Sequence, residues 1–306
     1  MDIKLNNPEP VMTGTKQTLL TWARKIESFA DLPANFKTAC GPVLGDIQPF
    51  PHVVFAPAIQ NIRYPYTQKL LCEIGNLFYI WEFVGGKVQT SIFPFENISR
   101  LEMGSILLNS WMTVSGVTTE GVLLSIPIPF NTATLRHFLP LIQRIRPAVV
   151  EMGGEPWQEQ LARFDYLSLK NFKFMSFARE SMVMGQEVFG TIWQPAIQRH
   201  IITILGRSFD DITTLAHLAI LTGTELIVIH DDETSEENRG VRYGGVWHYI
   251  PIRHIRSLVL SEKGSDQLIF SVSFENGTSP LDLIFSSSNL STLQQIQNQF
   301  SLIKNK

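Results

Sequence analysis

Residues 92–98 read IFPFENI and residues 249–255 read YIPIRHI, so one pattern recurs at a constant offset of 157 residues. Both copies place a proline at the third position of an apolar-rich run and an isoleucine four residues after it. The match continues to Leu101 and Leu258. Each copy predicts a strand that ends near its proline and turns into a second short strand. The repeat therefore predicts two copies of one small β domain.

The sequence flanking this pattern matches in the same order. The further pairs are residues 57–60 with 195–198, residues 77–80 with 226–229, and the apolar positions of 130–145 with those of 285–300. The offset changes between these blocks only where loops are expected, and insertions in loops cost little free energy. The flanks therefore support the prediction of a duplication.

Composition limits the class of protein. A chain of 306 residues with 44% hydrophobic residues is long enough for two packed cores. A net charge of −3 gives no overall attraction to nucleic acid or to anionic lipid. The two cysteines, Cys40 and Cys72, are expected to be reduced thiols. We find no signal-peptide pattern and no run of about 18 apolar residues, so we expect a cytoplasmic protein without a transmembrane segment or a nucleic-acid partner.

Periodicity predicts the local structure. Apolar residues at helical spacing predict helices near 15–30, 34–40, 131–146, 157–182 and 290–300. Short apolar or alternating runs between them predict about seven strands in each copy, with a hairpin at Gly85-Gly86. Gly41 is expected to end the second helix as a left-handed cap.

Four segments follow from this pattern. They are an N-terminal helical arm at 1–46, a first unit at 47–148, a linker with a connecting helix at 149–184, and a second unit at 185–306. The predicted class is α+β and mainly β. Each unit is expected to be a curved, mostly antiparallel sheet, a partly open barrel whose open end is plugged by a C-terminal helix. The extra helix before each unit is expected to pack on that unit's sheet, or else to form an interface with a partner.

This order of elements resembles the PH-like group of domains, which includes bacterial PH-like and GRAM-like modules. Four blocks carry the resemblance, and they are similar to those of an uncharacterised bacterial family: residues 50–57 (FPHVVFAP), 106–111 (ILLNSW), 171–175 (NFKFM) and 243–247 (YGGVW). The resemblance covers nearly the whole chain and implies a tandem PH-like fold. It implies binding of phosphoinositides, peptides or proteins, and it brings no catalytic residue.

The search for chemistry finds no catalytic motif. Gly85-Gly86-Lys87 lacks the remaining residues of a phosphate-binding loop, and no hydrolase serine motif occurs. His230 beside Asp231 and Asp232 is the best metal candidate, but the acidic run that follows is typical of a solvated hairpin tip. The Asp210-Asp211 pair is expected in a turn. We therefore predict no catalytic residue, no metal site and no cofactor.

Basic residues are the candidate ligand-binding groups if the resemblance holds, because lipid-binding PH-like domains use positive side chains at the open end of the sheet. The alternative is that these residues only keep the surface soluble. The candidates are Arg63 and Lys69 in the first unit, and Arg199, Arg207, Arg242, Arg253 and Arg256 in the second.

Three classes of function remain open from the sequence. The leading one is a non-enzymatic adaptor that acts through protein–protein contacts or self-association, using the sheet edges, the interdomain groove or the added helices. The alternative is peripheral binding of anionic lipid headgroups through the basic residues of the second unit. An enzyme comes third, because residues distant in sequence can meet in space.

Overall fold

The computed structural model describes residues 22–58, 67–146, 157–204, 207–232 and 244–305, and only the backbone for the described residues between 199 and 211. The chain is mainly β, and its described strands form several antiparallel sheets, none of which closes into a barrel within the described residues. Of the predicted segments, the linker at 149–156 lies outside the described residues.

We call strands β2–β8 with helix α2 the first unit. A 3-10 helix at Phe95–Asn97 separates four strands from the next three, and another at Thr132–His137 leads into α2. The bounds are β2 (Val53–Ala56), β3 (Gln68–Ile74), β4 (Leu77–Val84), β5 (Lys87–Pro94), β6 (Ile98–Ile106), β7 (Asn109–Val117), β8 (Leu123–Asn131) and α2 (Leu139–Ile145). Strand β1 (Arg24–Ile26) and helix α1 (Ala34–Leu44) precede this unit.

We call β9–β17 with helix α5 the second unit. Its order is the same, with a 3-10 helix at Ile252–His254 and another at Ser287–Asn289, except that the hairpin β10–β11 is inserted after the first strand. The bounds are β9 (Val188–Gln194), β10 (Ile197–Ile204), β11 (Arg207–Thr214), β12 (His217–Thr222), β13 (Glu225–Asp231), β14 (Gly245–Pro251), β15 (Ile255–Lys263), β16 (Gln267–Phe274), β17 (Leu281–Ser286) and α5 (Leu290–Lys304). Helices α3 (Trp157–Ala162) and α4 (Phe172–Ser181) precede it.

One sheet joins the two units. Strands β8, β7 and β6 of the first unit continue into β14, β13, β12 and β9 of the second, because β14 pairs antiparallel with β6. The register places His248 opposite Glu102 and Tyr249 opposite Leu101. We call this β6–β14 pairing the seam. The repeat had predicted two separate sheets and gave no sign that an edge of one would extend the other.

Each helix packs by an apolar stripe on a sheet. Helix α1 buries Phe36, Cys40 and Leu44 on the five-stranded sheet β1–β5, and α4 buries Phe174 and Ala178 on β12 and β13. Of the two expected added helices, only the one before the second unit is present in the described chain, and its α4 part packs on that unit's sheet. Helices α2 and α5 cover the cores of their units through one face each.

Two helix predictions at the N-terminal side are wrong. The part of the predicted helix 15–30 that is described contains β1 and a 3-10 turn, because Ala23 and Ile26 enter two different cores and never share a helical face. The next helix does not end at Gly41. It continues to Leu44, whose complete burial outweighs the poor helical propensity of the intervening Gly41-Pro42 pair.

The connecting helix and the acidic pair also differ from prediction. Residues 157–182 form two helices with a 3-10 turn at Asp165–Leu167 between them, because the side chain of Asn171 accepts a hydrogen bond from Phe174 N and starts a new helix. Asp210 and Asp211 lie in strand β11 and not in a turn.

The longest helix of the described chain, α5, has 15 residues, and no described helix is both long and apolar enough to cross a membrane.

Candidate binding groove at the seam

A groove of about 810 Å³ lies over the seam. Its floor is formed by β6, β7 and β14, and its walls by α2 on one side and by α4 with the residues after it on the other. Side chains alternate across a strand, so Met103, Trp247 and Tyr249 point into the groove while His248 points to the opposite face. Most of the lining is apolar: Met103, Leu135, Leu139, Ile142, Phe177, Met182, Val183, Met184, Trp247 and Tyr249.

Two glycines allow close packing on the strands that form the floor. A Cβ atom on Gly104 would lie 2.0 Å from the indole of Trp111, so only glycine allows this ring to lie across β6. A Cβ atom on Gly245 would lie 2.8 Å from the ring of Phe177, which packs directly on β14 and meets Trp247 edge to face at 4.7 Å. Glycine at 245 therefore lets α4 approach β14 closely enough to wall the groove, whereas the contact of Gly104 with Trp111 lies on the opposite face of the sheet, with Glu102.

A buried polar network closes one end of the groove. The guanidinium of Arg146 donates to Glu225 and, at 2.7 Å, to the carbonyl of Ser181. It also lies 4.0 Å from the ring centroid of Tyr249. The carboxylate of Glu225 is fully buried and accepts a further hydrogen bond from Gln186. Arg146 is therefore committed to an internal partner and is poorly placed to attract an anionic ligand.

Burial also fixes the protonation of Tyr249. Its environment raises the pKa of the Tyr249 hydroxyl to about 12, mainly by desolvation and against the opposing effect of Arg146. The phenol therefore stays neutral at physiological pH.

Exposed apolar side chains surround the groove. The hairpin between β6 and β7 presents Leu107 and Leu108, which are 70% and 65% exposed, and Leu107 has a φ of 55° that a leucine rarely adopts. Thr132 holds this hairpin through the Leu107 carbonyl at 2.9 Å. On the two walls, Leu139 is 43% exposed and Met184 is 74% exposed. We call these four residues the apolar rim.

The rim and the lining decide what the groove can do. Ser105 and Ser110 are hydrogen-bonded to each other at 3.1 Å, and Glu180 is the one carboxylate among the described lining residues. A ligand therefore meets mainly apolar surface, a few hydroxyl groups and one carboxylate, a combination that suits apolar side chains.

None of the predicted basic residues whose side chains are described lines this groove. Lys69 is 3% exposed and forms an ion pair with Glu82 at 2.9 Å, so it is an internal cation and the prediction of a ligand contact is not supported there. Arg253 donates to the carbonyl of Phe95, and Arg256 faces Glu275 at 3.6 Å. Arg63 and Arg242 lie outside the described residues, and for Arg199 and Arg207 only the backbone is described.

The two carboxylates beside His230, the best metal candidate of the sequence, are already bound by other groups of the chain. Asp231 forms an ion pair with Lys173, and Asp232 accepts a hydrogen bond from Gly244 N at 2.8 Å. Among the residues that the structure describes, no three His, Cys, Asp or Glu side chains are arranged to hold a metal ion. Burial raises the pKa of the Cys40 and Cys72 thiols to about 12.

A row of three histidines crosses the other face of the shared sheet. His217 on β12, His230 on β13 and His248 on β14 follow one another with ring centroids 5.6 Å and 5.3 Å apart. Burial lowers the pKa of His217 to about 4 and that of His248 to about 3, and it lowers the pKa of His230 well below the usual value. All three are therefore neutral at physiological pH.

The groove residues were not predicted from the sequence, because they come together only when β14 pairs with β6. The one local signal was the alternation of Trp247 and Tyr249 after two glycines, which is equally typical of an ordinary buried strand. No known protein-family model matches the chain, and no curated protein matches it significantly.

Proposed function

We propose that this chain is a non-enzymatic binding protein, built from two PH-like units, whose seam groove receives an apolar segment of a protein partner. The repeated order of four strands, a 3-10 helix, three strands and a helix supports the PH-like assignment. We also propose that it acts in the cytoplasm, where buried free thiols persist.

The observation that carries the proposal is the continuity of the groove with the apolar rim. A small ligand would fill the groove and leave Leu107 and Leu108 in water, whereas a protein segment would cover both the groove and these two residues. The lining also favours apolar side chains over an anionic headgroup, since Arg146 already pairs with Glu225 and Glu180 adds a carboxylate.

Recognition of anionic lipid is the alternative, and the described residues support it less well. Arg256 and Lys304 share the single carboxylate of Glu275, which reduces the positive field of that surface. Arg253 is exposed, yet it is held by the backbone of the first unit.

The test uses the full chain, a peptide library and vesicles. Phage-displayed peptides are selected on the wild type, and binders are titrated against Leu139→Glu plus Met184→Glu, which places two charges on the rim. The matched control is Leu169→Glu plus Leu302→Glu, which charges two leucines that are 99% and 61% exposed outside the groove.

We expect peptides with apolar residues at helical spacing that bind the control like the wild type and bind the rim variant about tenfold more weakly or worse. Peptides that bind the rim variant equally well, or a failure to select any binder, would contradict the proposal. Co-sedimentation with phosphatidylserine vesicles that Arg253→Glu plus Arg256→Glu abolishes would establish the lipid alternative instead.

A further inference from the structure

Strand β5 is the last strand of the five-stranded sheet, and in the described chain no strand pairs with its outer edge. Its counterpart in the second unit is β14, since both strands end in a proline at the offset of 157 residues. The same edge of β14 is fully used, because it pairs with β6 at the seam. One of two equivalent edges is therefore paired and the other is open.

The hairpin geometry identifies the open groups. Val84 and Lys87 close a two-residue turn whose glycines both have positive φ, so these two residues exchange hydrogen bonds. Bonding then alternates along the antiparallel pair, and the backbone N–H and C=O of Val88, Thr90 and Ile92 point away from β4. The carbonyl of Ile92 already accepts a hydrogen bond from Thr119 N at 2.8 Å. Val88 and Thr90 thus present four backbone groups without a described partner.

The edges of β8 and β15 are protected, whereas that of β5 is not. Edge strand β8 contains Pro127 and Pro129, and the backbone of β15 is covered by two side chains of α5. Between Lys87 and Ser91, β5 contains no proline, and its register with β4 has no bulge. A regular edge of this kind is a template for a further strand.

We propose that two copies of this chain pair through β5, antiparallel, about a two-fold axis that passes through Gln89. In this register Val88 of each copy faces Thr90 of the other, and the two residues exchange hydrogen bonds. The four open backbone groups of each copy are then all used, in four hydrogen bonds. The two five-stranded sheets become one continuous sheet of ten strands.

The chain itself blocks one neighbouring register. A two-fold axis at Thr90 would place a strand opposite Ile92, where the turn that carries Thr119 already lies. With the axis at Gln89, the partner strand begins at its Lys87 opposite Ser91 and does not extend to that turn. No like charges face each other, because Lys87 meets Ser91 and Gln89 meets its own copy. Val122 and Leu123, 47% and 42% exposed, supply apolar surface beside the same turn.

The test is the oligomeric state of the full chain by sedimentation equilibrium across the micromolar range, with the fold of each variant checked by circular dichroism. We expect a wild-type dimer. Thr90→Pro removes an outward N–H and no bond to β4, as Pro94 already does in the same strand. It should raise the dimer dissociation constant about tenfold or more, whereas Thr90→Val should leave it unchanged.

A charge introduced at Gln89 tests the position of the two-fold axis. Gln89→Lys and Gln89→Glu each place like charges opposite one another and should give monomers, and an equimolar mixture should form mixed dimers in native mass spectrometry. Neither change removes a described hydrogen bond within the chain, so failure to fold is not expected. A monomeric wild type, a dimer that Thr90→Pro leaves intact, or charged variants that dimerise alone would overturn the proposal. None of these outcomes bears on the seam groove.

Discussion

The outer edges of β6 and β15 are equivalent in the two units. The edge of β6 pairs with another strand, whereas the edge of β15 ends its sheet. In the first unit, β6 pairs with β14 and the sheet continues. In the second unit, Gln297 donates to the carbonyl of Leu258 at 2.6 Å and Lys304 donates to that of Ile255. Two side chains of α5 therefore bind the carbonyls that a further strand would need. The position in α2 that corresponds to Gln297 is Ile142, which instead lines the groove.

This difference shows how two units with the same order of elements build a groove that neither unit forms alone. Where the C-terminal helix presents an apolar residue, the strand edge remains open and accepts the other unit. Where the helix presents an amide and an ammonium group, the carbonyls of the edge are satisfied and the sheet ends. The groove exists only at the first kind of edge, since β14, α2 and α4 meet there.

The largest predicted effect is a loss of stability at low pH that begins in the second unit, because the buried histidines of the sheet lie there. Strands β2–β8 contain no histidine, whereas His217, His230 and His248 lie in the second unit. Their pKa values are lower in the folded chain than in the unfolded one, so the unfolded state binds more protons as the pH falls below about 6.5. His217 alone should cost about 3 kcal/mol of stability between pH 7 and pH 4.

Hydrogen exchange as a function of pH measures this effect. Between pH 6.5 and pH 4, protection in β12–β14 should fall before protection in β3 and β4. His217→Phe should move the loss to lower pH, and His137→Gln, outside the sheet, should not. Glu102 faces His248 at 3.8 Å and Arg100 lowers the pKa of His248, so changes at these two residues should shift the transition in opposite directions. Equal loss of protection in both units would contradict the comparison.

The second prediction concerns the ion pair that spans the seam. Arg146→Ala leaves the fully buried carboxylate of Glu225 without its cation and should lower the free energy of unfolding by about 3–5 kcal/mol. Urea denaturation measures it. Arg144→Ala, which removes a half-exposed pair with Glu73, is the control and should cost at most about 1 kcal/mol. Equal effects of the two substitutions would show that the buried pair does not hold the units together.

The smallest predicted effect on stability comes from removing the hydrogen bonds that α5 makes to the edge of β15. Gln297→Leu should cost about 1 kcal/mol, the net value of one hydrogen bond. Together with Lys304→Leu it should also open β15 and produce species larger than those of the wild type in light scattering. Gln294→Leu, an exposed position on the same helix, makes the same chemical change away from the edge. An unchanged size distribution for the double variant would mean that other features end the sheet.

The sequence predicted the features that depend on local pattern. The proline repeat correctly indicated that each strand breaks at Pro94 and Pro251, where a 3-10 helix follows in both units. Asn131 caps the element after β8 as expected, with its side chain accepting from Ala133 N. These features depend on neighbouring residues, so a single sequence carries them.

The features that depend on distant pairing could not be predicted in this way. The partners at the seam, such as Leu101 and Tyr249, lie far apart in the chain, and any apolar strand could take either place. The candidate site was chosen by charge alone, and charge does not reveal burial, as Lys69 shows. Ala23 and Ile26 had helical spacing, but they serve two cores and lie in or beside a short strand.

The pairing of β14 with β6 is the central claim, and amide hydrogen exchange at neutral pH tests it directly. We expect the alternate amides of residues 101–105 and 245–249 that point across the seam to be as protected as the amides of the same segments that are bonded to β7 and β13. Fast exchange of the seam-facing amides alone, at the rate of unpaired strand edges, would show that the two units do not share a sheet and that the groove between them does not exist in solution.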